Sequence, residues 1–147
     1  MTGFRRTLRS TVTKQMPGSF FDTNVLIYLA SGNTAKADRV EGLIAGGGYI
    51  SVQVLNEIAN VTRRKMRWSW IETNEFLGLI CGLLAVLPIT AEIHRSGLMI
   101  AERYGLSIYD SMIAAAALDA GCDTLWSEDM QNGLLIEKAV TVSNPFR

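Results

Sequence analysis

Five short apolar runs, at residues 19–21, 49–50, 85–89, 124–126 and 139–142, alternate along this chain with segments that carry helix signals. Strands separated by helices assemble as βαβ units into a mostly parallel sheet covered on both faces. The pattern therefore predicts an α/β fold, a three-layer α/β/α arrangement on a central, mostly parallel five-stranded sheet. The predicted helices have legible ends. Residues 23–30 form a short one, and residues 34–45 a second that stops at Gly46–Gly47–Gly48. Ser51 is placed to cap a helix reaching about Lys65, and residues 70–84 are apolar and helical. Thr90 caps a helix that Gly105 stops, and Ser107 opens another, alanine-rich at 113–118, that ends at Gly121.

With 147 residues, 48% of them hydrophobic and 19% charged, the chain suits one compact domain and is too apolar for global disorder. No apolar run reaches the roughly 18 residues of a membrane span, so no membrane partner is expected. The basic residues near the start precede no apolar segment, which excludes a secretory signal. Residues 1–18 read as a basic tail ending in the turn Pro17–Gly18, and residues 19–147 as the domain, with Met16 an alternative natural start. Cys81 and Cys122 lack metal-ligand spacing and read as free buried thiols of a reducing cytoplasm.

Four acids, Asp22, Glu57, Asp110 and Asp129, each lie just beyond a predicted strand or in the opening turns of the next helix. In a parallel sheet those positions meet at one edge, where such folds bind ligands. Each acid also has a local reading. Asp22 caps a helix, Asp110 completes the Ser-x-x-acid capping pattern of Ser107, Glu57 is a solvated residue paired with Arg64 or another arginine, and Asp129 is a loop carboxylate. Those readings do not account for all four falling at the same strand ends. Converging carboxylates call for a hard divalent cation, Mg²⁺ or Mn²⁺, and for phosphodiester chemistry. Charge agrees. Residues 1–15 hold four basic residues and no acid, leaving ten basic against fourteen acidic residues in 16–147. Such a negative body needs bound cations to approach nucleic acid, which favours a metal enzyme over a basic binding module. The glycines at 46–48 lack the Lys and Ser/Thr of a phosphate loop, and the single histidine, His94, falls mid-helix away from the acids.

The acids stand in recognisable surroundings: Asp22–Thr23–Asn24, Asn56–Glu57, the run from Tyr109–Asp110–Ser111 to Ala116, and Leu125–Trp126–Ser127–Glu128–Asp129–Met130. In that order and spacing they resemble the motifs of the PIN-domain ribonucleases, and among them the VapC-type toxins of toxin–antitoxin pairs, over about residues 19–143. The resemblance implies a PIN-like fold and makes Asp22, Glu57, Asp110 and Asp129 the catalytic, metal-binding quartet. Asn24 and Ser127 are supporting groups. Of the adjacent acids Glu128 and Asp129, motif alignment favours Asp129. It also implies Mg²⁺- or Mn²⁺-dependent cleavage of RNA, a homodimer, and inhibition by a small cognate antitoxin.

Arg63, Arg64, Arg67 and Trp68 belong to the densest basic–aromatic cluster, at 63–70. It suits contact with RNA or antitoxin. It equally suits cations completing a helix C-terminus, followed by tryptophans packed in a helical hairpin. The apolar stretch 76–84 reads as core or dimer interface. The function this predicts is a metal-dependent endoribonuclease acting as a toxin. The alternatives are a PIN-like nuclease of RNA processing, or a catalytically silent binding module.

Overall fold

A computed structural model of the protein describes residues 18–147, so the basic tail expected over residues 1–18, except Gly18, and the alternative start at Met16 lie outside the described residues. The element order is β1 (Ser19–Phe21), α1 (Thr23–Leu26) running into a 3₁₀ turn (Ile27–Ala30), α2 (Thr34–Ile44), β2 (Tyr49–Ser51), α3 (Val52–Arg64), α4 (Trp70–Leu83), β3 (Ala85–Leu87), α5 (Ala91–Tyr104), α6 (Ile108–Asp119), β4 (Thr124–Trp126), β5 (Leu135–Ile136) and β6 (Val140–Ser143). The expected α/β class is what the chain adopts. The sheet, however, has six strands rather than five, in the order β3-β2-β1-β4-β6-β5. The additional strand, β5, runs antiparallel to β6, and every other pairing is parallel.

The strand order places a topological switch beside β1. From β1 the chain proceeds outward through β2 and β3, then returns to lay β4 on the other side of β1. The carboxyl ends of β1 and β4 are therefore neighbours, with Phe21 in register with Trp126. A crevice outside such a pair is where this sheet type binds ligands.

Burial explains why the strands are so short yet fixed. Phe20, Phe21, Ile50, Leu125, Val140 and Val142 are fully buried, as strands covered on both faces must be. The alanine-rich run of α6 is buried from Ser111 to Ala117, and small side chains let that helix lie close against its neighbours. Gly97 of α5 allows the same approach, since a Cβ there would meet the Met112 sulfur at 2.7 Å. Gly48 backs β1 in an equally tight way. Its φ is +151°, and a Cβ would stand 2.7 Å from the Phe21 ring and 2.8 Å from the Ser19 carbonyl.

Three expectations need correction. β3 stops at Leu87, before Pro88, which has no backbone N–H to continue a ladder. Ser51 occupies the N-cap of α3, but its hydroxyl makes no capping bond. Cys81 is exposed on α4, whereas Cys122 is buried, and both are free; burial pushes the Cys122 thiol up to about 11. The apolar stretch 76–84 divides by helical face: Phe76, Ile80 and Leu84 enter the core, while Leu79 and Leu83 stay exposed. No helix among the described residues is long and apolar enough to cross a membrane.

Candidate functional site

Two buried phenylalanines deliver Asp22 to the end of β1. Asp22 is itself only 3% exposed, and its backbone N–H donates to the Trp126 carbonyl at 2.9 Å, tying it to the end of β4. One carboxylate oxygen accepts from the Thr23 N–H at 2.7 Å as α1 begins. The other accepts from the Ser127 hydroxyl at 2.8 Å and from the Asn24 amide at 3.2 Å. Asn24 also accepts from the Glu128 N–H at 3.0 Å, and Ser127 accepts from the Met130 N–H at 3.2 Å. Asn24 and Ser127 thus stitch the β4–β5 loop to the Asp22 carboxylate.

Glu57 lies on α3, and no arginine among the described residues forms an ion pair with it. Its two oxygens accept from the Thr23 hydroxyl and the Gln53 amide, each at 2.8 Å. Asp110 lies in the first turn of α6, where its N–H donates to the capping Ser107 hydroxyl at 3.1 Å. Asp129 follows Ser127 in the β4–β5 loop and is exposed. The adjacent Glu128 is engaged elsewhere: it accepts from the Tyr28 hydroxyl at 2.6 Å and pairs with Lys36 at 2.7 Å.

One cleft of about 810 Å³ takes in Asp22, Glu57, Asp110 and Asp129 together with Thr23, Asn24, Gln53, Asn56, Asn60, Lys65 and Tyr109. Glu128 does not line it, because its side chain is turned to Lys36. The electrostatics follow from this gathering. Burial, then the Asp110 and Glu57 carboxylates, raise Asp22 from 3.8 to about 7 against the bonds from Ser127 and Thr23 that lower it. Asp110 is likewise raised, by burial first and then by Glu57 and Asp129.

As they stand, no three His, Cys, Asp or Glu side chains among the described residues are drawn tightly enough together to hold a metal ion. The donor chemistry nevertheless fits one. All four acids offer hard oxygen ligands, and burial together with neighbouring carboxylates raises both Asp22 and Asp110, a tension a divalent cation would relieve. Neither cysteine lines the cleft, and His94 is exposed on α5.

The basic–aromatic cluster is only partly brought to the site. Arg63 and Arg64 line a smaller cavity beside the cleft. Trp68 instead packs edge-on against Phe76, with ring centroids 5.7 Å apart. Arg67 is exposed with a positive φ of 57° and lines neither cavity. Sequence reasoning passed over Gln53 and Asn60, and it took Thr23, Lys65 and Trp70 only as members of their motif or cluster, with no role of their own. Gln53 had a signal, since it precedes Glu57 by four residues and so shares its helix face.

The family model described as PIN domain matches residues 19–131. The chain is similar in structure to a toxin–antitoxin complex from Klebsiella pneumoniae, at 21% identity and a TM-score of 0.65 over 86% of this chain and 97% of that one. It is similar to a sarcin–ricin-loop-cleaving VapC toxin from Mycobacterium tuberculosis, at 19% identity and a TM-score of 0.63 over 76% and 89% of the two chains. FitAcB from Neisseria gonorrhoeae matches at 21% identity and a TM-score of 0.60, over 87% and 98%. At such identities the likeness is one of fold. No curated protein matches the sequence.

Proposed function

The chain belongs to the PIN domain family, and from that premise we propose that it is a divalent-metal-dependent endoribonuclease acting as the toxin of a toxin–antitoxin pair. The observation that carries the reading is the convergence of Asp22, Glu57, Asp110 and Asp129 on one cleft at the switch point of the sheet. These four residues would hold Mg²⁺ or Mn²⁺. A cation bound there lowers the pKa of a water and offsets charge on phosphoryl oxygens.

The chain's own residues supply the rest. Ser127, Asn24 and the Thr23 N–H hold both oxygens of Asp22, so its carboxylate is oriented at the end of β1. Thr23 and Gln53 hold Glu57 in the same manner. Lys65, Asn56, Asn60 and Tyr109 line the cleft without belonging to the acid set. They offer cationic, amide and aromatic contacts to a nucleotide, and Lys65 counters phosphate charge that the acids repel.

The partners follow from the same reading. A small antitoxin protein inhibits the toxin, in keeping with the toxin–antitoxin complex from Klebsiella pneumoniae that shares its fold. The exposed apolar side chains of α4, Ile71 at 72% and Leu79 at 54% exposure, support a homodimer. The test is RNA cleavage and growth arrest on induction with Mg²⁺ or Mn²⁺, comparing wild type with Asp22→Asn and Asp110→Asn. Both variants are expected to be inactive. Cleavage and arrest equal to wild type would sink the reading.

A further inference from the structure

We propose that the C-terminal turn of α3 and the first residue of α4 form a nucleotide subsite next to the acid cleft, at which Trp70 stacks a base of the RNA strand and Arg64 takes a neighbouring phosphate. This deepens the ribonuclease reading above and rests on it. A cavity of about 470 Å³ is lined by Asn56, Ala59, Asn60, Arg63, Arg64 and Trp70. Asn56 and Asn60 also line the acid cleft, so the two spaces adjoin. Residues 56, 60, 63 and 64 follow helical spacing along one side of α3. A strand lying in the cleft thus has a built path toward the end of that helix.

The end of the path is both aromatic and cationic. Trp70 is 62% exposed although it opens a helix whose Phe76 and Ile80 are buried. It is not left loose. The Arg63 guanidinium lies 4.2 Å from the Trp70 ring centroid and also donates to the Trp68 carbonyl. Arg63 thereby braces the indole from one side, and the exposed remainder is a preformed platform. Base–aromatic stacking tolerates any base because each has a π face. Arg64 is exposed and joins neither of the ion pairs among the described residues, which leaves its charge available.

Charge distribution selects a polyanion as the occupant. Of the ten basic residues beyond residue 16, four fall at Arg63, Arg64, Lys65 and Arg67. A nucleic-acid strand repelled by the acids of the cleft meets its nearest concentration of cations there. The amide walls of Asn56 and Asn60 offer donors and acceptors to sugar and base edges along the way.

The test measures binding of a labelled, random-sequence single-stranded RNA decamer in the Asp22→Asn background, which suppresses cleavage. Trp70→Ala is expected to weaken binding about tenfold, with Trp70→Phe retaining most of it, because stacking needs only a ring. An abasic analogue of the decamer should not distinguish Trp70→Ala from its parent. Arg64→Ala should lower the slope of log affinity against log salt by about one ion. Arg64 is exposed, so this arm stands even if Trp70→Ala disturbs folding. Equal RNA affinity and salt slope in parent, Trp70→Ala and Arg64→Ala overturn the subsite alone, and a face reserved for a protein partner would give that result. A parent that neither binds RNA nor, as wild type, cleaves it overturns the subsite and the ribonuclease reading together.

Discussion

The Ser127 hydroxyl donates to the Asp22 carboxylate across 2.8 Å and 105 positions of sequence, joining the ends of two adjacent parallel strands. That bond holds Asp22 below the pKa its burial alone would set. Ser127→Ala is therefore expected to raise the Asp22 pKa further, and to cost cleavage about tenfold, as loss of a group that orients a metal ligand does. Carboxyl NMR titration in EDTA measures the first effect and initial rates the second. An unmoved titration would show that the hydroxyl does not tune the acid.

Folding raises Asp22 from 3.8 to about 7, so between those pH values the folded chain keeps a proton that the unfolded chain has released. Below the lower value both states hold it, and the residue costs nothing. Stability then falls as pH rises through this window, and above it the full cost of roughly 4 kcal/mol remains. Asp110, also raised, acts in the same direction. Urea midpoints in EDTA should be lower at pH 8 than at pH 5, and Asp22→Asn should remove most of the difference. Mg²⁺ should restore stability at pH 8 by binding the folded state. Midpoints that do not change between pH 5 and pH 8 would contradict this account.

The edge of the sheet was legible because local signals agree there. Two phenylalanines, an acid and a helix start leave β1 and Asp22 little latitude, and Ser107 and Gly121 bracket α6. What escaped reading depends on partners distant in sequence. β5 has only two residues, Leu135 and Ile136, too few for a period, and exists because β6 pairs with it. The loop beyond it is pinned by Glu137 to Arg103 and Tyr104 on α5. Thr23 reaches Glu57 across 34 positions, and no spacing rule joins them. Trp68 and Trp70 sit two residues apart, yet one packs on Phe76 and the other is exposed, because α4 begins between them.

Gly48 links the backbone of the sheet to the site. With φ at +151° and a Cβ position only 2.7 Å from the Phe21 ring and 2.8 Å from the Ser19 carbonyl, it admits no side chain unless β1 moves. Gly48→Ala combines backbone strain with overpacking, each worth about 1–3 kcal/mol. Chemical denaturation should show a loss in that combined range. Because β1 carries Asp22, surviving folded protein should also cleave RNA more slowly. A variant as stable as wild type would mean that β1 shifts freely, contrary to the full burial of Phe20 and Phe21.

Glu128 and Asp129 are neighbours whose side chains serve different surroundings. The Glu128 carboxylate is held by Lys36 and Tyr28, which keep it well ionised, while Asp129 lines the acid cleft. Lys36 itself lies over the Tyr28 and Phe146 rings at 4.6 and 4.7 Å, so the pair anchors the β4–β5 loop to α2 and the 3₁₀ turn before it. Asp129→Asn is expected to reduce cleavage at least tenfold, in the range seen when a metal site loses an oriented group. Glu128→Gln should leave cleavage near wild type while lowering the melting temperature, since it weakens the anchor and spares the cleft. Metal titration by calorimetry separates the two, with only Asp129→Asn weakening Mn²⁺ binding. If Glu128→Gln abolished Mn²⁺ binding and Asp129→Asn did not, the roles of the two acids would have to be exchanged.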